Sequence, residues 1–179
     1  MTLTLAVIGS SKSGKTTLIE YIVSKLSGEG YRVGTIKHIH LKDFTFDTSG
    51  KDTWRHRRAG ADIVLGVAEK ELCIFNRKEL KFDKIEDLLA LIRDRDLDLI
   101  IIEGFKNLIM RRRDVTKVIT AKNLEELKNL LNSTVEPIIA VMGPITRDKS
   151  KIQGVETPII DLYSEGEKLI ELIKQLISR

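Results

Sequence analysis

The stretch "VIGSSKSGKTTL", residues 7–18, permits few folds. An apolar run ends at Ile8, a loop of small residues follows, and Lys15-Thr16-Thr17 opens a segment carrying Leu18, Ile19, Ile22, Val23 and Leu26 at helical spacing. Gly9 through Thr16 satisfies G-x-x-x-x-G-K-[ST] at every fixed position. Gly9 and Gly14 let the backbone turn so that consecutive N–H groups point inward as an anion nest. The helix that follows aims its unpaired N–H groups and positive dipole end at the same spot. Lys15 is expected on the β- and γ-phosphates of a nucleoside triphosphate, Thr16 on Mg²⁺ and Thr17 on the α-phosphate, with Ser10, Ser11 and Ser13 lining the loop. Lys12 is a weaker contact, more naturally solvated.

The rest of the chain alternates apolar runs with helix-like segments, the pattern of a parallel sheet covered by helices. Strands are expected at 3–8, 32–38, within 96–105, after the basic loop "RRRD", and at "PIIAVMG". Helices are expected at 15–27, around "KDTWRHRRAGA" up to Gly60, at 84–93, at "NLEELKNLLN" with Asn123 as cap and Glu126 at the box position, and at "EGEKLIELIKQLI". "DIVLGVA" and "ELCIFNR" flank a charged "EK" and read as a hairpin. The predicted fold class is α/β: a mostly parallel sheet flanked by helices, of the P-loop NTPase type with an inserted hairpin, as a single domain over 1–179.

Composition narrows the function further. With 179 residues, 42% hydrophobic and 31% charged, the chain has enough material for a buried core under an ionised surface. A net charge of +4 favours anionic ligands but falls short of a nucleic-acid-binding footprint, so no nucleic-acid partner is expected. The one cysteine, Cys73, cannot form an internal disulfide, and it reads as a small buried strand residue. No apolar run is long enough to span a membrane and no signal-like leader is seen, so a cytoplasmic protein without membrane association is expected. Gln153 and Gln175 are the only glutamines amid abundant Lys, Glu and Ile, which leans towards a heat-adapted source.

A phosphate loop needs a carboxylate at the end of a neighbouring strand for the metal shell. "LIIIEG" supplies Glu103, and Gly104 after it can bring a backbone N–H to the γ-phosphate. Asp47 in "DFTFD" is favoured over Asp43 as a second acid, giving Thr16, Asp47 and Glu103 as the expected Mg²⁺ set. Asp52 is a helix-start residue or a partner contact. His38 and His40 lack a third metal ligand beyond His56, so substrate contact or plain surface is the expectation for them. Arg111, Arg112 and Arg113 form either a solvated charge run or an anion-binding stretch. Asp148, in "PITRDK", stands where guanine readers place an acid, but the Asn-Lys of that motif is absent.

Beyond the generic loop, "GTIKH", "DTSGKDTWRHRRAGA" and "IIIEGFK" combine Lys37-His38, Gly50-Lys51-Asp52, Arg57 to Ala61 and Glu103-Gly104-Phe105-Lys106. Over about residues 5–106 this combination resembles the molybdopterin-guanine dinucleotide biosynthesis protein B (MobB) family. The resemblance implies a GTP- and Mg²⁺-binding α/β protein, commonly a homodimer, with weak GTPase activity. It also implies a MobA-type guanylyltransferase partner, which attaches GMP to molybdopterin. His38, Asp52, Lys106 and Arg111–Arg113 become candidates for substrate or partner contact. In place of the family's His-rich stretch the chain has "HIHLKDFTFD", with Leu41 and Lys42 where further His or acid is usual. No catalytic residue is assigned, because neither a water-orienting Gln nor an Arg finger is identifiable. The alternatives are a small-molecule or nucleoside kinase using the same loop, and a metal-insertion GTPase, against which the single cysteine argues.

Overall fold

Strand β1 (Leu3–Ile8) runs through the middle of a five-stranded sheet because both of its faces are apolar. Its neighbours are β5 (Leu99–Glu103) and β6 (Thr116–Thr120), with β2 (Val33–Lys37) and β7 (Ile138–Met142) outside them. The order is therefore β2-β5-β1-β6-β7, with every pairing parallel. The computed structural model describes residues 2–41, 43–76, 82–92 and 95–178. Within it the chain forms two compact units, one from residues up to His38 together with those from Asp83 onward, the other from Ile39–Phe82.

Alternate residues of the strands feed two cores, as period-two geometry requires of a sheet buried on both sides. Leu5, Val7, Leu99, Ile101 and Val118 pack against helices α1 (Lys15–Gly28) and α6 (Leu162–Ile177). Ala6, Ile8, Ile100, Ile102 and Ile119 pack against α3 (Ile85–Ala90) and α5 (Leu124–Ser133). Leu18, Ile22 and Leu26 on α1 are all buried, each contributing about 2 kcal/mol of apolar burial. That stripe fixes the helix whose first residue is Lys15.

In the second unit, α2 (Asp52–Ala59) ends at Gly60, whose φ of 114° closes it in the left-handed region. Strands β3 (Ile63–Val67) and β4 (Leu72–Asn76) form the expected antiparallel hairpin. Cys73 is exposed there, contrary to the buried expectation. Its cross-strand partner is Gly66, which has no side chain to cover it.

Three further differences have local causes. Helix α6 begins at Leu162, earlier than expected, because the Asp161 carboxylate caps it by accepting from the Tyr163 and Ser164 N–H groups, both at 3.1 Å. The helix expected at 84–93 spans Ile85–Ala90, and position 93 lies outside the described residues. A short α4 (Lys106–Ile109) and a 3-10 segment, Pro144–Lys151, occupy stretches in which no element is expected from the sequence. No helix among the described residues is long and apolar enough to cross a membrane.

Candidate functional site

The loop after β1 is held by contacts that only its own sequence permits. A Cβ on Gly9 would stand 2.2 Å from the Thr120 hydroxyl oxygen and 2.4 Å from that of Ser13. Ser13 is fully buried; its hydroxyl bonds the Thr120 hydroxyl at 2.7 Å and donates to the Ser10 carbonyl at 3.0 Å. Gly14 takes φ 91° at the turn into α1, and Lys12 takes φ 61°. The Lys15 ammonium folds back onto the Ser10 carbonyl at 2.6 Å. Burial pushes its pKa below the usual lysine value, Lys106 and Lys37 push the same way, and Glu103 and Glu126 oppose them. A partly desolvated ammonium among other cations is a site that gains from an arriving anion.

Glu126 shows how the loop is tethered. Its N–H donates to the Asn123 side chain at 2.9 Å, the expected cap of α5. One carboxylate oxygen accepts from the Lys122 N–H at 3.0 Å, and the other accepts from the Ser10 N–H at 2.9 Å. Burial raises the Glu126 pKa, but these N–H donors outweigh it and hold the carboxyl below its ordinary value. The capping box thus reaches across the chain into the phosphate loop.

Register places the second group of residues. Glu103 is opposite Val7 on one side and Lys37 on the other, so its carboxylate emerges at the carboxyl ends of the central strands. It accepts from the Lys37 ammonium at 2.9 Å. Gly104, at φ 98°, follows; a Cβ there would meet the His38 Cβ at 2.5 Å. That close approach lets the Phe105 ring stack on the His38 imidazole with centroids 4.4 Å apart. Lys106 opens α4.

Other residues singled out in the sequence have local partners. Asp47 belongs to the Ile39–Phe82 unit, where its buried carboxylate accepts from Thr53 at 2.8 Å and from Arg57 at 3.2 Å. Asp52 is the first residue of α2 and pairs with Arg55 at 3.6 Å. Arg112 bridges Glu86 at 2.5 Å and Asp114 at 2.6 Å, which raises its pKa through those hydrogen bonds. The fully buried Lys117 donates to the Arg112 and Val115 carbonyls and closes the same loop. Arg111 and Arg113 stay exposed. No group of three or more potential metal ligands from His, Cys, Asp and Glu occurs among the described residues.

Next to the loop lies an open pocket that the sequence did not announce. Its walls are the start of α1, the end of β6, the Gly143–Arg147 turn and the Asp161–Tyr163 opening of α6. The available signal was "IIDLYS": an acid and a serine after an apolar run, which is N-cap chemistry at the end of a short extended segment.

The parallel sheet, the glycine-bounded loop and the carboxylate at a neighbouring strand end define an α/β protein of the P-loop NTPase type. The family model for molybdopterin guanine dinucleotide synthesis protein B matches residues 4–143, and the chain belongs to that family. It is 35% identical over 119 residues to the molybdopterin-guanine dinucleotide biosynthesis adapter protein of Haemophilus influenzae, covering 63% of this chain and 65% of that one. It is 34% identical over 105 residues to the Escherichia coli protein of the same name, covering 58% and 59%. The matched stretches thus span less than two thirds of the length of both relatives. The crystal structure of Bacillus subtilis MobB superposes with a TM-score of 0.71 at 27% identity, covering 97% of this chain and 96% of that one.

Proposed function

We propose that the protein binds GTP with Mg²⁺ and acts as a cytoplasmic accessory protein in molybdenum cofactor biosynthesis. In this reading it assists a MobA-type partner in attaching GMP to molybdopterin. The observation that carries the nucleotide part is the preformed loop from Gly9 to Thr17, with a desolvated Lys15 and a backbone held by Glu126. The biosynthetic part comes from the names of the relatives.

In this reading the loop N–H groups and Lys15 take the β- and γ-phosphates, and Gly104 turns a backbone N–H towards the γ end. Thr16 and Glu103 form an oxygen-only donor pair, which suits Mg²⁺, and they would hold it. Bound there, the ion screens the charge on the phosphates. Lys37, which pairs with Glu103 at 2.9 Å, would be a further cation at the site. Hydrolysis is slow, since groups that orient water or supply an Arg finger give factors of about 10³–10⁵ in related chemistry and none is assigned here. Asp47, tied to Arg57, serves inside its own unit. His38, Lys106, Arg111 and Arg113 are candidates for contact with the pterin or the partner enzyme.

Calorimetric titration with non-hydrolysable analogues tests the nucleotide. The expected result is a GTP preference over ATP above about tenfold, roughly 1.4 kcal/mol. Equal binding, or an ATP preference, moves a kinase to first place.

The protein is further proposed to be a homodimer. Ile63, Leu65 and Val67 on β3 and Leu72 and Ile74 on β4 share one face of the hairpin, and each is more than half exposed. A contiguous apolar face of this kind suits a second copy of itself. Leu65→Glu, in the middle of that face, should convert the dimer to monomers of 20.3 kDa in sedimentation runs that leave the parent protein dimeric. An unchanged mass would remove the hairpin from the interface.

A further inference from the structure

We propose that the pocket beside the phosphate loop is the nucleobase subsite, with Asp161 reading guanine and Tyr163 providing the stacking face. This rests on the nucleoside triphosphate reading above and assigns its base to residues outside any guanine motif in the chain. Thr17, which lines the pocket, directly follows Thr16 of the loop, so the cavity begins where the phosphates end. It also lies at the carboxyl ends of β6 and β7, where parallel sheets receive their ligands.

The chemistry of Asp161 is unequal between its two oxygens. Oδ1 accepts from the Tyr163 N–H, the Ser164 N–H and the Ser164 hydroxyl, each at 3.1 Å. Among the described residues, Oδ2 takes only the Thr146 hydroxyl, at 3.3 Å. Burial raises the Asp161 pKa, but the Ser164 and Tyr163 donors and the Thr146 hydroxyl outweigh it, so the group is a carboxylate at neutral pH. Guanine offers two adjacent donors, its N1–H and its 2-amino group. Adenine offers an acceptor at N1 and no donor at C2. A carboxylate with one oxygen spare therefore selects the first and repels the second. Tyr163, at 77% exposure, supplies an aromatic face at the mouth of the same pocket. Arg147 also lines the pocket, with no ion pair among the described residues, a donor suited to the guanine 6-oxo group. Asp148 lies outside the lining and takes the Ser150 hydroxyl at 2.5 Å.

The test titrates Mg²⁺ with analogues of GTP, ATP and xanthosine triphosphate, and with tripolyphosphate, into the parent protein, Asp161→Asn and Tyr163→Ala. Asparagine caps a helix about as well as aspartate, so α6 is preserved. Asp161→Asn should lose about 30-fold in GTP affinity, bind ATP at least as well as the parent and leave tripolyphosphate unchanged. It should gain about tenfold for the xanthine nucleotide, whose C2 carbonyl accepts from the new amide. Tyr163→Ala should weaken GTP and ATP alike by about tenfold and spare tripolyphosphate. The proposal is overturned if Asp161→Asn binds GTP within about threefold of the parent, or if it loses all four ligands in parallel. Should the parent bind tripolyphosphate as tightly as GTP, the base subsite falls and the phosphate site stands. Should it bind no triphosphate at all, both fall.

Discussion

Lys15→Ala is expected to bind Mg²⁺–GTP about 150-fold more weakly than the parent protein while melting no lower. The binding loss is about 3 kcal/mol, the upper range for a hydrogen bond made to a charged group. The absence of a stability loss follows from the partial burial of the lysine. Lys15 is a lysine whose folded-state pKa lies below its ordinary value, with burial as the leading cause. Such a group opposes folding wherever it is charged. The penalty is present in full at neutral and acidic pH and fades as pH rises through the folded pKa towards the ordinary one. Removing the ammonium lifts that penalty. The Ser10 carbonyl it touches keeps the Ser13 hydroxyl as a donor, so no acceptor is orphaned. Calorimetry for the affinity and a thermal melt at pH 7 for the fold separate the two effects. A variant that binds GTP normally would remove Lys15 from the site. A variant that melts clearly lower would mean the ammonium supports the loop, and the desolvation argument would fail.

The sequence was most informative where one residue type has one structural consequence. Gly9, Gly14 and Gly60 mark turns because only glycine suits the backbone or the space there, and Leu18, Ile22 and Leu26 mark a helix face by spacing. Asn123 and Glu126 were readable as a capping box because both partners lie within one turn. The second bond of Glu126, to Ser10, was not readable, since it joins positions 116 residues apart. The same holds for the Ser13–Thr120 hydroxyl pair and for Lys37 on Glu103, which arise from strand order rather than from local pattern. The pocket was hidden for a related reason. Its walls come from four separate segments, and Asp161 looks like an ordinary cap until its neighbours are placed around it. Local chemistry thus located the phosphate loop, and tertiary placement was needed to show what supports it.

Gly9→Ala is the complementary prediction, because here fold and site fail together. The added methyl would stand 2.2 Å from the Thr120 hydroxyl oxygen, and 2.4 Å from both the Ser13 hydroxyl and the Thr120 carbonyl oxygen. A hydroxyl can rotate away, at the cost of the buried Ser13–Thr120 bond, about 1 kcal/mol. The carbonyl belongs to β6, whose residues are all buried, and cannot move without shifting the strand. A destabilisation of about 3 kcal/mol is expected in urea unfolding, together with loss of Mg²⁺–GTP binding as the loop is pushed off its Glu126 tether. Adding Thr120→Ala to Gly9→Ala removes the Thr120 hydroxyl clash and leaves those with the Ser13 hydroxyl and the Thr120 carbonyl. The double variant should therefore recover only part of the stability and little of the binding. If it proves as stable as Thr120→Ala alone, the backbone contact is not the constraint. Lys15→Ala weakens binding about 150-fold with the fold intact, whereas Gly9→Ala loses both, and that contrast separates the group that holds the phosphate from the geometry that presents it.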